Sequence, residues 1–182
     1  KTYSQIGRNP YEGVTIDFEG LRAPQKEAFS DFLRQLQPAL QKLDKKLLVC
    51  VPPVLTTSAY YDGYDYRAIG ELADRVILMA YGYGPQNMTG FTGTEYYKTA
   101  ATTPIASVYT ALKYAVSEIA PSKLLLGFSA ASTAWKIDEN GKLASETPVY
   151  PSNETAIKRL SQSDTEHGWS QTYQQSYAIY RT

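Results

Sequence analysis

Residues 12–19 read Glu-Gly-Val-Thr-Ile-Asp-Phe-Glu, an alternation of apolar and polar side chains that predicts a β-strand. In an extended strand successive side chains point to opposite faces. The apolar face consists of Val14, Ile16 and Phe18, and the polar face consists of Thr15, Asp17 and Glu19. Two carboxyl groups about 7 Å apart on one face can raise each other's proton affinity and act as an acid and its helper. The alternative interpretation is an edge strand with a solvated polar face.

The chain continues as an alternation of strand and helix signals up to residue 130. Strands are predicted at 13–19, 47–52, 75–81 and 123–128, and helices at 24–43, 66–72 and 104–119. The longest helix repeats apolar residues at helical spacing, namely Phe29, Phe32, Leu33, Leu36, Leu40 and Leu43. This alternation is typical of parallel strands joined by crossover helices. After residue 130 it ends, and the sequence predicts a hairpin turn at 138–141, a short helix at 153–162 and a strand at 174–180.

The composition excludes several classes of protein. Of the 182 residues, 43% are hydrophobic and 20% are charged, which is enough for one sizeable core. Eighteen basic and eighteen acidic residues cancel without a basic stripe, so we expect neither nucleic acid nor a membrane surface as a partner. No apolar run approaches the length of about 20 residues that spans a bilayer. The first residues, Lys1-Thr2-Tyr3-Ser4-Gln5, are no signal peptide, so any export signal is expected outside this chain.

Two single residues bear on cofactors. Cys50 lies in the apolar run 47–51, which predicts a buried, inert thiol. His167, the one histidine in the sequence, lies in a polar tail with no second histidine to join it. We therefore expect no metal and no cofactor.

Tyrosine is over-represented, with 16 tyrosines against five phenylalanines. Its ring has an apolar face and a polar tip, which matches the CH-rich faces and hydroxyl rims of sugars. The candidate sugar platforms are Tyr60, Tyr61, Tyr64, Tyr66, Tyr83, Tyr96, Tyr97 and Trp135. The alternative for each tyrosine is that it covers an edge of the protein itself.

The carboxylate strand resembles the signature of glycoside hydrolase family 18, the chitinase-like enzymes. That signature, DGxDxDxE, ends the fourth strand of a (β/α)8 barrel, and Gly13, Asp17 and Glu19 match it. Glu12 stands in place of the first Asp, and Thr15 stands in place of the second.

A second family landmark follows in the expected order. The sixth-strand motif M-x-Y-D is matched by Met79-Ala80-Tyr81, with Gly82 in place of the Asp. The Val51-Pro52-Pro53 strand end and the run Tyr61-Asp62-Gly63-Tyr64-Asp65-Tyr66 resemble the bacterial branch with spore-cortex and cell-wall hydrolases. The likeness covers nearly the whole chain.

The resemblance implies an α/β fold that is about half of a (β/α)8 TIM barrel. Residues 1–130 are expected to supply strands four to seven, and residues 131–182 a small α+β insertion after the seventh strand. A whole barrel of this kind takes about 250 residues. Unpaired barrel edges would favour self-association. The alternative fold is a self-sufficient, four-stranded open α/β domain.

The resemblance also implies a chemistry, which is substrate-assisted retaining hydrolysis of polysaccharides that contain N-acetylglucosamine, such as chitin or peptidoglycan. Glu19 is the implied general acid and base, Asp17 orients the 2-acetamido group, and Tyr81 donates to its oxygen. Met79 is expected as a pocket wall, with Thr15, Tyr83 and Trp135 as further substrate-binding residues. Such an enzyme would be secreted or lie in the cell envelope or spore.

Two other functions stay open at this point. A non-catalytic chitinase-like carbohydrate-binding protein would keep the cleft, but such relatives usually lose the acid Glu, which is present here as Glu19. An inactive fragment of the enzyme would not hydrolyse the polysaccharide, and a structural α/β module would neither hydrolyse nor bind it. A sugar-binding assay separates the structural module from both of the others.

Overall fold

Two β-sheets organise the part of the chain that the computed structural model describes, residues 11–55, 61–85 and 87–181. The strands are β1 (Gly13–Ile16), β2 (Lys46–Val51), β3 (Arg75–Leu78), β4 (Leu124–Leu126), β5 (Glu166–Ser170) and β6 (Gln175–Ile179). The α-helices are α1 (Lys26–Gln41), α2 (Tyr66–Leu72), α3 (Glu95–Thr99), α4 (Ile105–Glu118) and α5 (Asn153–Leu160). No helix among these residues is long and apolar enough to cross a membrane.

Strands β1 to β4 form one parallel sheet in sequence order. Each of the first three strands is followed by a crossover, and α1, α2 and α4 lie in those crossovers. Alternate residues of the central strands are almost fully buried on one face: Leu47, Val49, Val51, Val76 and Leu78 are each no more than 1% exposed. Helix α1 contributes Phe29, Leu33, Leu36 and Leu40 to the same core. The sheet therefore has one packed face, and the opposite face carries the intervening residues.

Side-chain hydrogen bonds fix both ends of helix α2. Asp65 is its N-cap, and its carboxylate accepts a hydrogen bond from the Ala68 N–H at 3.0 Å. At the other end the Lys123 ammonium donates to the carbonyls of Gly70, Glu71 and Ala73 at 2.8, 3.2 and 2.9 Å. A cation at a helix C-terminus also interacts favourably with the helix dipole.

The chain divides into two compact units. The first contains the residues through Ala80 together with Tyr109–Gly127, and the second contains Tyr81–Val108 together with the residues from Phe128 onward. The segment 81–108, which the sequence analysis placed in the first 130 residues, therefore clusters with the C-terminal part.

The second unit contains the antiparallel pair β5 and β6. The Glu95 carboxylate, at the start of α3, accepts hydrogen bonds from the hydroxyls of Ser170 and Thr172. These bonds lower the pKa of Glu95 and tie α3 to the β5–β6 turn. The predicted turn at 138–141 is present, with the Gly141 N–H donating to the Asp138 carbonyl at 3.0 Å. Gly141 has φ +76°, a conformation that favours glycine.

Most predicted elements are confirmed, with boundary shifts of up to three residues. The helix predicted at 66–72 has those bounds, whereas the strands predicted at 13–19 and 75–81 end their ladders at Ile16 and Leu78. The alternation of residue types runs on past the last paired residue, which is why the pattern looked longer than the ladder. After β3 the Ala80 N–H donates to the Leu78 carbonyl at 2.9 Å, so the chain turns at Met79. Strand β5 was missed, because Glu166–Ser170 mixes polar residues with a glycine.

Candidate active site

Asp17 and Glu19 directly follow the carboxyl end of β1, past its last ladder pair, Ile16 with Val49. Both carboxylate side chains are exposed. The intervening Phe18 ring points the other way and packs on Phe29 and Phe32 of α1, at centroid distances of 5.8 and 5.6 Å. The predicted alternation is therefore present, with the rings on the helix side and the acids on the opposite side.

Cys50, on strand β2, is a neighbour of this pair of acids. The parallel register pairs Ile16 with Val49, which brings Asp17 alongside Cys50 on the neighbouring strand. Burial raises the pKa of Cys50 to about 11, and the charge and hydrogen bond of Asp17 and the charge of Glu19 add to the effect. Both carboxylates therefore act on the thiol electrostatically, which agrees with their alternate positions after β1.

We call this side of the sheet the open face, and it consists of Thr15, Asp17, Glu19, Leu48, Cys50, Ile77, Met79 and Leu125. The register aligns Cys50 with Ile77 and Ile77 with Leu125. Leu125 is 43% exposed, in contrast to the buried residues of the helix side. The open face therefore presents two acids beside an apolar floor.

Met79 and Thr15 lie on this face as predicted from alternation. The Met79 N–H donates to the Val51 carbonyl at 3.0 Å, which continues the ladder one residue past β3. Its neighbours Leu78 and Ala80 are 1% and 2% exposed on the helix side, whereas Met79 is half-buried. Thr15 is exposed two residues before Asp17.

Tyr81, Tyr83 and Trp135 belong to the second unit. Tyr81 and Tyr83 are half-buried, and the Tyr83 N–H donates to the Thr102 carbonyl at 2.9 Å. Trp135 is half-buried and follows Ala134, which forms an antiparallel bridge with Val149. The catalytic role of Tyr81 and the substrate-binding roles of Tyr83 and Trp135 stay predictions.

The comparison with known proteins identifies the family. The model of glycosyl hydrolases family 18 matches residues 1–182, which is the whole chain. This chain belongs to glycosyl hydrolases family 18. A cortical fragment-lytic enzyme of Bacillus subtilis (strain 168) is 27% identical over 176 residues, which are 95% of this chain and 38% of that enzyme. The chain spans less than half the length of the curated relatives that match it over nearly its whole length.

Two solved structures of the family have the same fold. The crystal structure of YdhD from Bacillus subtilis matches with a TM-score of 0.82 at 26% identity, over 99% of this chain and 57% of that one. The spore cortex-lytic enzyme SleL from Bacillus megaterium QM B1551 matches with a TM-score of 0.76 at 27% identity, over 96% of this chain and 38% of that one. The family prediction is confirmed, and the parallel sheet is part of the family's α/β barrel. In such barrels the active site lies at the carboxyl ends of the strands, where Asp17 and Glu19 are found.

The turn after Glu19 is held by the loop between β2 and α2. The Tyr64 hydroxyl donates to the Phe18 carbonyl at 2.7 Å and accepts from the Leu21 N–H at 3.4 Å. The Asp62 carboxylate accepts from the Ala23 N–H at 2.9 Å. Gly20, which lies between Phe18 and Leu21 in the chain, has φ +72°, a conformation that favours glycine.

The tyrosines of this loop serve packing in the structure. Tyr64 and Tyr66 are 5% and 3% exposed, and the Tyr66 hydroxyl donates to the Pro52 carbonyl. For these two residues the alternative interpretation, that they cover the protein's own edges, is confirmed. Tyr61 is half-buried, and Tyr60 lies outside the described residues.

Sequence reasoning missed the contacts of Tyr64 with Phe18 and Leu21 and the position of Cys50. Cys50 was expected to be buried, and it is 9% exposed, but its contact with Asp17 was not foreseen. The signal was available, because aligning the parallel strands at Ile16 and Val49 places Cys50 next to Asp17. Among the described residues no cluster of three potential metal ligands is present, and His167 is exposed with a ring nitrogen 3.1 Å from the Leu160 carbonyl.

Proposed function

We propose that this protein hydrolyses the glycosidic bonds of a polysaccharide that contains N-acetylglucosamine, with Glu19 as general acid and base. The supporting observation is the pair Asp17 and Glu19, exposed together at the carboxyl end of β1 with Cys50 next to Asp17 on β2. The family membership supports the reaction class. The exposed acids on a sheet with an apolar floor match a sugar, which has both hydroxyl groups and CH-rich faces.

The proposed reaction has two steps and retains the anomeric configuration. In the first, the Glu19 carboxyl gives its proton to the glycosidic oxygen as the bond from that oxygen to the anomeric carbon breaks. The carbonyl oxygen of the sugar's own 2-acetamido group bonds to the anomeric carbon, giving an oxazolinium ion. In the second step the Glu19 carboxylate takes a proton from water as the water oxygen attacks the anomeric carbon. The bond from that carbon to the acetamido oxygen breaks, which opens the oxazolinium ring and restores the 2-acetamido group.

Asp17 is proposed to hold the internal nucleophile in line. Its carboxylate would accept the acetamido N–H, and its negative charge would offset the positive charge of the oxazolinium ion. The Cys50 thiol lies next to this carboxylate on the neighbouring strand. The raised pKa of Cys50 keeps the thiol protonated and hence a donor at neutral pH. Thr15 adds a hydroxyl on the same face, and Met79 an apolar wall.

The proposed substrate class is peptidoglycan rather than plain chitin. Two relatives carry names that refer to the spore cortex, the cortical fragment-lytic enzyme and the spore cortex-lytic enzyme SleL. The usual family pattern also changes at Thr15 and Gly82, which favours an altered sugar over ordinary chitin. The protein would accordingly act in the spore or the cell envelope.

The experiment compares Glu19→Gln with Glu71→Gln, an exposed glutamate of α2. Cortex peptidoglycan fragments and N-acetylglucosamine oligomers are offered separately, and the release of reducing ends is measured. General acid catalysis is worth about 10²- to 10⁴-fold, so Glu19→Gln should lose that factor while Glu71→Gln keeps the wild-type rate. Equal rates for the two variants would refute the role of Glu19.

Binding is measured on the same variants to separate an enzyme from a carbohydrate-binding protein. We expect Glu19→Gln to bind the fragments nearly as well as the wild type, because the amide keeps the shape of the acid. Binding by the wild type without any release of reducing ends would contradict the proposed hydrolysis and favour the non-catalytic function. Cleavage of the oligomers but not of cortex fragments would contradict the peptidoglycan preference alone.

A further inference from the structure

Glu19 lies three residues past the last ladder pair of β1, so the sheet does not fix its backbone. The residue before it, Phe18, and the residue two positions after it, Leu21, are bonded to one side chain instead. The Tyr64 hydroxyl donates to the Phe18 carbonyl at 2.7 Å and accepts from the Leu21 N–H at 3.4 Å. The Phe18 carbonyl belongs to the peptide group that joins Phe18 to Glu19, so this bond fixes the plane from which Glu19 extends.

Tyr64 is itself held rigidly. It is 5% exposed, and its ring meets the Phe29 ring edge-on, at 6.0 Å between centroids and 82° between planes. Phe29 also packs on the Phe18 ring at 5.8 Å. One residue of α1 therefore supports both the side chain before Glu19 and the tyrosine that bonds its backbone.

The two residues before Tyr64 contact the same turn. The Asp62 carboxylate accepts from the Ala23 N–H at 2.9 Å. Gly63 lies directly against the backbone of Leu21 and Arg22, since a Cβ at this position would be 2.3 to 2.6 Å from their atoms. Three successive residues thus line the turn that follows Glu19, and we call Asp62, Gly63 and Tyr64 the acid-loop clamp.

We infer that Tyr64 is a positioning residue that sets the location of the Glu19 carboxyl through this clamp. The inference rests on the proposed function of Glu19. General acid catalysis requires the proton donor within hydrogen-bond reach of the leaving oxygen, so displacement of the Glu19 backbone lowers the rate without removing the acid. The effect falls on the chemical step, since Tyr64 is buried behind the sheet end and does not supply an exposed surface for the sugar.

The main experiment compares Tyr64→Phe with Tyr66→Phe. Both changes remove one hydroxyl from a buried ring of the same loop region, but the Tyr66 hydroxyl bonds the Pro52 carbonyl and not the turn after Glu19. We expect Tyr64→Phe to lower kcat about 10- to 100-fold on the polysaccharide with KM nearly unchanged, whereas Tyr66→Phe keeps kcat. Equal losses in the two variants would mean a general effect on stability and would overturn the inference.

The leaving group provides a readout that a purely structural role would not change. An aryl glycoside with a nitrophenolate leaving group needs little proton donation, so misplacement of the acid should matter less. We expect the loss in Tyr64→Phe to shrink to less than about threefold on such a substrate. An equal loss on both substrates would contradict the assignment to acid positioning.

A second pair of variants leaves the buried rings intact. Asp62→Asn keeps an oxygen that can accept from the Ala23 N–H, and Asp62→Ala removes it. We expect Asp62→Asn to retain most of the activity that Asp62→Ala loses. Equal losses in the two variants would indicate that the charge of Asp62, and not its hydrogen bond to the turn, is what matters.

Hydrogen exchange at the Leu21 amide tests the clamp without using catalysis. We expect Tyr64→Phe, but not Tyr66→Phe, to exchange faster at Leu21 because only the first loses the acceptor. A wild-type protein that hydrolyses no N-acetylglucosamine polymer would refute the proposed function, while faster exchange in Tyr64→Phe would still support the clamp. Unchanged exchange at Leu21 in Tyr64→Phe would refute the clamp, whatever the enzyme does.

Discussion

Gly63→Ala is the sharpest perturbation of the turn after Glu19, because it pushes on the backbone and adds no polar group. The added Cβ would lie 2.3 Å from the Leu21 carbonyl carbon, 2.4 Å from its oxygen and 2.6 Å from the Arg22 nitrogen. All three atoms are backbone atoms, so no flexible side chain can move aside. The nearest contact must open by about 1 Å to reach the 3.4 Å of ordinary contact.

The size of the effect follows from that displacement. Leu21 is two residues from Glu19, and a misplacement of about 1 Å in a catalytic group can cost about 10²-fold in rate. Overpacking of a buried position typically costs about 1–3 kcal/mol in the free energy of unfolding, so the variant is expected to fold and yet be nearly inactive. Gly63 has no positive φ, so the strain comes from the contact and not from the backbone conformation of alanine.

The assay measures kcat/KM for release of reducing ends, and the free energy of unfolding by chemical denaturation. Gly90→Ala is the control, because Gly90 is exposed, has no positive φ and has no atom within 4 Å of an added Cβ. We expect Gly90→Ala to match the wild type in both measurements. A Gly63→Ala protein with wild-type activity would refute the reasoning, since it would show that the position of Leu21 does not determine that of Glu19.

Two further predictions concern the thiol and the core. The pKa of Cys50 is raised from 9.0 to about 11, which lowers its thiolate fraction near pH 8 about 100-fold. Alkylation by iodoacetamide should therefore be at least that much slower in the folded protein than in the unfolded one, and faster in Asp17→Asn than in the wild type. Similar rates in all three would contradict the contact with Asp17. Leu33→Ala should lower the free energy of unfolding by about 2–5 kcal/mol because Leu33 is 0% exposed, whereas Leu43→Ala, at a position that is 39% exposed, should lower it by less than about 1 kcal/mol. Equal shifts of the denaturation midpoint in the two variants would contradict the assigned core.

The sequence pattern was sufficient for the parallel sheet and for the two acids. Alternation in residues 12–19 separated Phe18 from Asp17 and Glu19, and the structure places the ring on α1 and the acids on the open face. Helical spacing predicted the buried face of α1, since Phe29 and Leu33 recur on one side. These features depend on local periodicity, which a single sequence contains.

Contacts between distant residues could not be read in the same way. The bond from Tyr64 to the Phe18 carbonyl joins positions 46 residues apart, and a backbone acceptor leaves no trace in the residue type at position 18. Tyrosine composition favoured sugar platforms, because an exposed and a buried tyrosine look alike in a sequence. Strand β5 was missed for a related reason: its pairing with β6 depends on partner residues and not on its own propensity.

Thr15 and Cys50 together change the electrostatics behind Asp17. In the usual family pattern the position of Thr15 carries a carboxylate, and two adjacent carboxylates raise one another's pKa and can share a proton. A threonine hydroxyl carries no charge, so that exchange cannot run through residue 15. The nearest group on the next strand is the Cys50 thiol, whose pKa is raised by burial and by the negative charge of Asp17, so the thiol stays protonated beside the carboxylate. The proton transfers of the proposed reaction are therefore assigned to Glu19 alone, with no carboxylate at residue 15 to share them.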